Sequence, residues 1–183
     1  MKELSLHVLD VAKNSVKAGS TLTKIEIERA PDGMMTIRIS DNGCGMTDEV
    51  VRQVTDPFYT TRTTRRVGLG LPLWRLAAEQ TGGYMKISSS VEEGNSGTTV
   101  TAVFDTKSID CMPMGDIVST VCVLVSGSPE VDFLFTDVSE ERAISLDTRE
   151  MREVLGEGVS LALPEVQLWM AEYLNEQYNN KKE

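Results

Sequence analysis

Six residues constrain this chain more than any others: Asp41-Asn42-Gly43-Cys44-Gly45-Met46 set a carboxylate, an amide and two glycines directly behind an alternating apolar run. Glycine permits positive φ and close approach of the backbone to a neighbour or ligand, so Gly43 and Gly45 predict a turn shaped by more than connectivity. Asp-Asn-Gly is equally ordinary turn chemistry. The flanking segments have to decide between a plain loop and a ligand floor.

Upstream, Ile25 and Ile27 alternate with polar residues, Ala30-Pro31-Asp32-Gly33 is turn chemistry, and Met35, Ile37 and Ile39 alternate again. This predicts two antiparallel strands, the second delivering Asp41 at its end. Before them, Leu4, Val8, Val11, Ser15 and Ala18 recur at helical spacing over residues 3–18, and Gly19 is a natural stop. The opposite stripe is Glu3, His7, Asp10, Asn14 and Lys17. Such a row is ordinarily a solvated face. Asn14, however, sits mid-helix where its propensity is poor, with Asp10 one turn before it and Lys17 one turn after, a set suited to a metal–phosphate group. His7, the chain's single histidine, is expected to be exposed or partly packed and receives no role.

Downstream, Thr47 reads as an N-cap with Asp48 and Glu49 in the first turn of a short helix reaching about Val54. Residues 60–66, Thr-Thr-Arg-Thr-Thr-Arg-Arg, have neither structural period and read as a mobile loop ahead of Gly68-Leu69-Gly70-Leu71. That glycine pair opens a helix from Leu71 to about Gln80, with Pro72 tolerated in its first turn and Gly82-Gly83 ending it. Three arginines before a glycine-rich helix start suit a polyphosphate; a solvated loop before a close-packed turn is the plain alternative. Residues 84–90 and 98–104 alternate around a Gly-containing turn and predict a second hairpin. This order of elements implies helices on one face of a largely antiparallel sheet.

Composition narrows the function classes. At 183 residues and 40% hydrophobic, the chain is long enough for one good core with room for a smaller appended unit. Its net charge of −10 argues against a broad nucleic-acid footprint, which needs a surplus of lysine and arginine on the contact face. Cys44, Cys111 and Cys122 show neither disulfide parity nor zinc spacing, and no apolar run is long enough to span a bilayer, so the expectation is a cytoplasmic protein away from membranes.

In the C-terminal part, residues 117–125 and 131–137 read as a third hairpin around Ser126-Gly127-Ser128-Pro129, with a short strand at 143–146. Asp147 can cap a helix over 148–155, and Pro164 opens another containing Val166, Leu168, Trp169, Tyr173 and Leu174. The final residues are expected to fray. The apolar face of the last helix is core in the plain reading and a dimer or partner surface in the sharper one, because this segment makes a thin core of its own.

Four separated segments together resemble the GHKL ATP-binding fold of gyrase-type topoisomerases, heat-shock chaperones, MutL-type repair proteins and histidine kinases. Leu9-Asp10-Val11-Ala12-Lys13-Asn14-Ser15 is similar to its N box, Asp41 to Met46 to its DxGxG box, Phe58 to Leu71 to its lid with the GLGL box, and Gly97-Thr98-Thr99 to its last box. Asp-Pro-Phe-Tyr-Thr-Thr-Arg, Gly-Leu-Gly-Leu and Gly-Gly-Tyr-Met-Lys-Ile, with Lys17, are most similar to the histidine-kinase catalytic domain. The resemblance implies an α+β, two-layer α/β sandwich (the Bergerat fold) over residues 1–106, and leaves 107–183 as a small β/α extension, a candidate partner or homodimer surface.

It also implies roles. Asp41 accepts from the adenine N6 amine with Thr98 supporting the same edge; Gly43, Gly45 and Met46 form the floor, with Gly45 letting the backbone approach the base. Asn14 gives its oxygen to Mg²⁺; Gly68, Leu69, Gly70 and Leu71 close over the phosphates; Phe58 belongs to the lid; Lys17 with Arg62, Arg65 or Arg66 balances charge. Two positions depart from the pattern. Arg66 stands where the family often has another glycine, and Asp10 stands where hydrolytic members carry a glutamate base, one methylene longer. Few residues precede the first helix, so the phosphoacceptor hairpin of a complete histidine kinase is not expected. The implied function is a stand-alone Mg·ATP-binding domain that transfers or hydrolyses the γ-phosphate. The alternatives are an anti-sigma-type serine kinase acting on another protein, and a non-enzymatic ATP-gated switch of a protein partner.

Overall fold

The alternating runs become strands whose buried apolar residues mostly turn to one side. In the computed structural model, which describes residues 2–56 and 70–180, the elements in chain order are α1 (Leu4–Lys17), β1 (Leu22–Arg29), β2 (Met34–Asp41), α2 (Asp48–Thr55), α3 (Gly70–Gln80), β3 (Tyr84–Ser90), β4 (Gly97–Asp105), α4 (Ile117–Gly127), β5 (Asp132–Val138), β6 (Ala143–Asp147), α5 (Thr148–Leu155) and α6 (Pro164–Asn179). The strands form one six-stranded sheet in the order β3-β4-β2-β1-β5-β6. Register aligns the apolar sets: Ile25 faces Ile39 and Phe135, Ile37 faces Ala102, and Val100 faces Ile39 and Ile87. Nearly all of these side chains are buried, while Lys24, Glu28 and Lys86 on the other face are exposed, so the sheet is covered on one side only.

The helices cross that covered side in step with the strands. α3 lies on β3 and β4, α1 on β1 and β2, α4 on β5, and α6 on β6, with α1 contacting both α3 and α4. The N-caps act as their residue types suggest. Thr47 accepts from the Val50 N–H, Asp147 from that of Arg149, and Pro164 occupies the first turn of α6. Four of the five strand pairings are antiparallel, as the order of elements implied.

The C-terminal part corrects the sequence reading. Residues 117–125, expected as a strand, form most of helix α4. Their β-branched composition favours a strand, but Asp116 caps the segment, its Oδ1 accepting the Ser119 N–H at 2.9 Å and its Oδ2 the Ser119 hydroxyl at 2.6 Å. Ile117, Val121, Leu124 and Val118, Val125 then fall at helical spacing and bury against α1, α6 and β5. The expected hairpin is accordingly replaced: β5 pairs parallel with β1 and antiparallel with β6. The expected thin separate core is also corrected, because Phe133, Phe135, Ile144 and Leu174 join one buried cluster with Val8, Ile37 and Phe104.

A buried polar knot ties the two parts. Asp137 on β5 is 2% exposed and faces the core. Arg29 donates to it through Nε at 2.9 Å and Nη2 at 2.8 Å, and the Tyr178 hydroxyl of α6 donates to Oδ2 at 2.8 Å. Burial, then the Asp137 charge, pushes the Tyr178 phenol far above its usual range, so it stays a donor. His7, expected to be exposed or partly packed, is 2% exposed and stacks on Trp74 of α3. No helix among the described residues is long and apolar enough to cross a membrane.

Candidate functional site

A cleft of about 430 Å³ opens where α1 passes over the ends of β2 and β4; among the residues lining it are Asp10, Asn14, Lys17, Asp41, Thr98 and Leu71. Asp10, Asn14 and Lys17 reach it because they recur at four- and three-residue steps on one stripe of α1. Asp41 reaches it because it is the last residue of β2, on the same face as Ile37 and Ile39. Thr98 stands directly opposite Asp41 on β4, and Ser89 directly opposite Thr98 on β3. Three polar residues thus replace the apolar rows at one end of the sheet.

Hydrogen bonds fix that row. The Gly43 N–H donates to Asp41 Oδ1 at 2.9 Å and the Ser15 hydroxyl to Asp41 Oδ2 at 2.6 Å. Each carboxylate oxygen therefore has one donor and spare acceptor capacity. Ser89 Oγ accepts the Met46 N–H at 2.8 Å and lies 2.9 Å from the Gly97 carbonyl oxygen and 2.8 Å from Thr98 Oγ1. Ser89 thereby joins the glycine turn to β3 and β4.

The turn itself is clamped from both sides. Asn42 Oδ1 accepts the Thr21 and Leu22 N–H groups at 2.9 and 3.0 Å, and the Cys44 N–H donates to the Ala18 carbonyl at 2.9 Å. Gly45 has φ +70°, and a β-carbon there would sit 1.8 Å from the Ser90 carbonyl oxygen. Close approach to β3 alone thus requires glycine at this position. Met46 and Gly45 line the cleft below Val54 of α2.

At the other rim, Asp10 packs on the first residue of α3: a β-carbon on Gly70 would lie 1.8 Å from Asp10 Oδ2. A side chain at this position would have to displace the carboxylate. Leu71 follows, buried and lining the cleft. Lys17 and Asn14 are exposed. Among the described residues, no group of three or more His, Cys, Asp or Glu side chains converges to hold a metal ion.

The structure thus brings Asp10, Asn14, Lys17, Asp41, Gly45, Met46, Leu71 and Thr98 to one cleft, with Gly43 behind Asp41 and Gly70 behind Asp10. Phe58, Arg62, Arg65, Arg66, Gly68 and Leu69 lie outside the described residues. Ser15 and Ser89 were not singled out from the sequence. Ser15 lay on the stripe assigned to the core, and Ser89 in a strand whose pairing places it beside Thr98. His7 lies one turn from Asp10, but burial pushes its pKa below the ordinary 6.5 and its ring faces Trp74.

Comparison with known proteins gives the same frame. Residues 2–108 match the family described as "Histidine kinase-, DNA gyrase B-, and HSP90-like ATPase". Sporulation kinase B of Bacillus subtilis (strain 168) is 34% identical over 102 residues, 54% of this chain and 23% of that kinase. The chain spans less than a quarter of the length of that relative. Among solved structures, the N-terminal domain of a DNA repair protein superposes with a TM-score of 0.56 at 13% identity, covering 86% of this chain and 58% of the other. The Aquifex aeolicus MutL ATPase domain complexed with ADP superposes at 0.51 and 19%, covering 85% of this chain and 69% of the other. These likenesses concern the fold, and they extend beyond the family-matched residues into the C-terminal part.

Proposed function

The chain belongs to the histidine kinase-, DNA gyrase B- and HSP90-like ATPase family, and from that premise we propose that the cleft binds Mg·ATP and that the γ-phosphate is transferred or hydrolysed in a regulatory pathway. The observation that carries this reading is the partnering of Asp41. With Gly43 and Ser15 each filling one acceptor site, the carboxylate keeps acceptor capacity at the cleft floor, which complements the exocyclic amine of adenine. Thr98, adjoining Ser89, supports the same edge.

The residues present fit magnesium. Asn14 lines the cleft one turn from Asp10 without a carboxylate cage around it, and Mg²⁺ prefers to keep water and phosphate oxygens in most positions. Asn14 would supply a side-chain oxygen, and the ion would neutralise phosphate charge. Lys17 and the lid arginines Arg62, Arg65 and Arg66 would do the same. Asp10 would accept the proton of the attacking water or protein hydroxyl as the new P–O bond forms and the β–γ bridging bond breaks, with ADP leaving.

Asp41→Asn exchanges an acceptor for a donor at the amine, and calorimetry should show ATP affinity falling about 100-fold. Unchanged affinity would reject the adenine assignment. A second reading, an ATP-gated switch without turnover, is favoured by the packing of the Asp10 carboxylate against Gly70 at the start of α3. Asp10→Asn separates the two. An enzyme should lose at least about tenfold in ATP consumption or in labelled phosphate passed to a protein hydroxyl, with binding retained; an unaltered rate removes Asp10 as the base.

A further inference from the structure

At the opposite edge of the sheet from the nucleotide cleft, β6, α5 and α6 enclose a second cleft of about 320 Å³, floored by Leu146, Met151 and Leu155 and walled by Val154, Trp169 and Tyr173. Its walls are open. Val154 is 86% exposed and Trp169 49%, and the Trp169 and Tyr173 rings stack at 5.2 Å to form a flat aromatic platform. Large apolar side chains gathered in one concave patch mark an interaction surface in a way that scattered ones do not.

The rim decides the chemistry of the occupant. Glu150 lines the cleft, and Glu165, Glu172 and Glu176 recur with Trp169 and Tyr173 at three- and four-residue steps along one face of α6. All four carboxylates are exposed, and none forms an ion pair among the described residues. Asp147 is the exception, already held by Arg149 at 2.6 Å. An apolar floor inside an unpaired acidic rim complements a segment with one apolar and one cationic face. A second copy of this chain would set the same carboxylates against each other and add to a net charge of −10.

The backbone decides the form of the occupant. An exposed edge strand normally invites a partner strand, but here Gln177 of α6 satisfies both backbone groups of Ser145 at the middle of β6. The Ser145 N–H donates to Gln177 Oε1 at 2.9 Å, and Gln177 Nε2 donates to the Ser145 carbonyl at 3.0 Å. Strand addition is blocked at this point, while the side-chain groove beside it is open, the arrangement that receives a helix.

We propose that the α5–α6 cleft docks a basic amphipathic helix of a partner protein, its apolar face on Trp169, Tyr173 and Val154 and its lysines or arginines on the glutamate rim. The proposal stands independently of nucleotide binding. The probe is a fluorescein-labelled synthetic peptide of roughly five helical turns, with leucine at i, i+3, i+4 and i+7 and lysine elsewhere. Two controls carry the same leucines with glutamate for lysine, and the same composition scrambled out of helical register. Measured by anisotropy against the full chain, the lysine peptide should bind saturably and more tightly than both controls. Trp169→Ala, Val154→Ser and the double change Glu172→Gln/Glu176→Gln should each weaken it at least about fivefold, whereas Glu92→Gln/Glu93→Gln, equal in charge but remote, should not. Because Val154 is almost wholly exposed, its variant keeps the fold. Equal binding of the scrambled peptide, insensitivity to Trp169 and Val154, or no binding overturns the proposal. Self-association of the chain that sedimentation shows to be abolished by Val154→Ser would assign the face to a second copy instead.

Discussion

Asp41 and Asp137 point to the same side of the same sheet, two strands apart with β1 between them, and their surroundings differ. Asp41 is half-buried, and each of its oxygens meets one donor, from Gly43 and Ser15, beside an open cleft. Asp137 is buried and accepts three hydrogen bonds, Oδ1 from Arg29 Nε and Oδ2 from Arg29 Nη2 and the Tyr178 hydroxyl, and it lines neither the nucleotide cleft nor the α5–α6 cleft. A carboxylate held in place with acceptor capacity to spare is prepared for a ligand. One enclosed among the protein's own cationic and hydroxyl donors acts as a tie between elements, here β1, β5 and α6.

The largest effect that would test this contrast is on stability. Asp137→Ala strands the Arg29 charge and the Tyr178 hydroxyl, and chemical denaturation should show a loss of about 3 kcal/mol, near the lower end for a broken buried pair because Arg29 keeps part of its side chain in water. ATP affinity of the variant that remains folded should be unchanged; a large loss of affinity would break the division between tie and site. Ser15→Ala should do the reverse. It removes the 2.6 Å hydrogen bond to Asp41, so ATP affinity by calorimetry should fall about tenfold while stability shifts by about 1 kcal/mol or less. Equal effects of both changes on both measurements would mean that the two aspartates do not differ in kind.

The smallest effect concerns His7 of α1, buried against Trp74 of α3. Burial lowers its pKa below 6.5, the N-terminal charge adds to this, and Asp10 opposes it. The unfolded chain therefore takes up the proton more readily than the folded one. The stabilisation is complete above pH 6.5 and is lost as pH falls through 6.5 toward the lowered folded value. Thermal melts should show a modest drop in Tm across that window, and His7→Phe, which keeps a ring against Trp74, should flatten it. A slope unchanged in His7→Phe would place the pH sensitivity elsewhere.

Much of the nucleotide end was legible in the sequence because its requirements are local. Gly45 has to be glycine where the chain turns onto Ser90, Thr47 has to offer a cap to α2, and Asp10, Asn14 and Lys17 share a stripe through helical spacing alone. Ser15 and Ser89 escaped notice because each acquires its partner only when α1 crosses β2 and β3 reaches β4. At the other end, the run from Ile117 to Val125 satisfies both a strand's preference for β-branched residues and a helix's spacing of buried positions. Asp116 and burial on several sides select the helix.

From residue order alone came the alternation of the first four strands, their antiparallel pairing, the caps, and the order in which Asn14, Asp41, Gly70 and Thr98 appear. These follow from periodicity, φ preference and short turns, which act over a few residues. The tertiary structure decided that Ile117–Gly127 is helical, that β5 joins β1 in parallel, that His7 is buried, and which of two aspartates faces an open cleft. Those outcomes include contacts between residues 108 or more positions apart in the chain, whose energies no local pattern encodes.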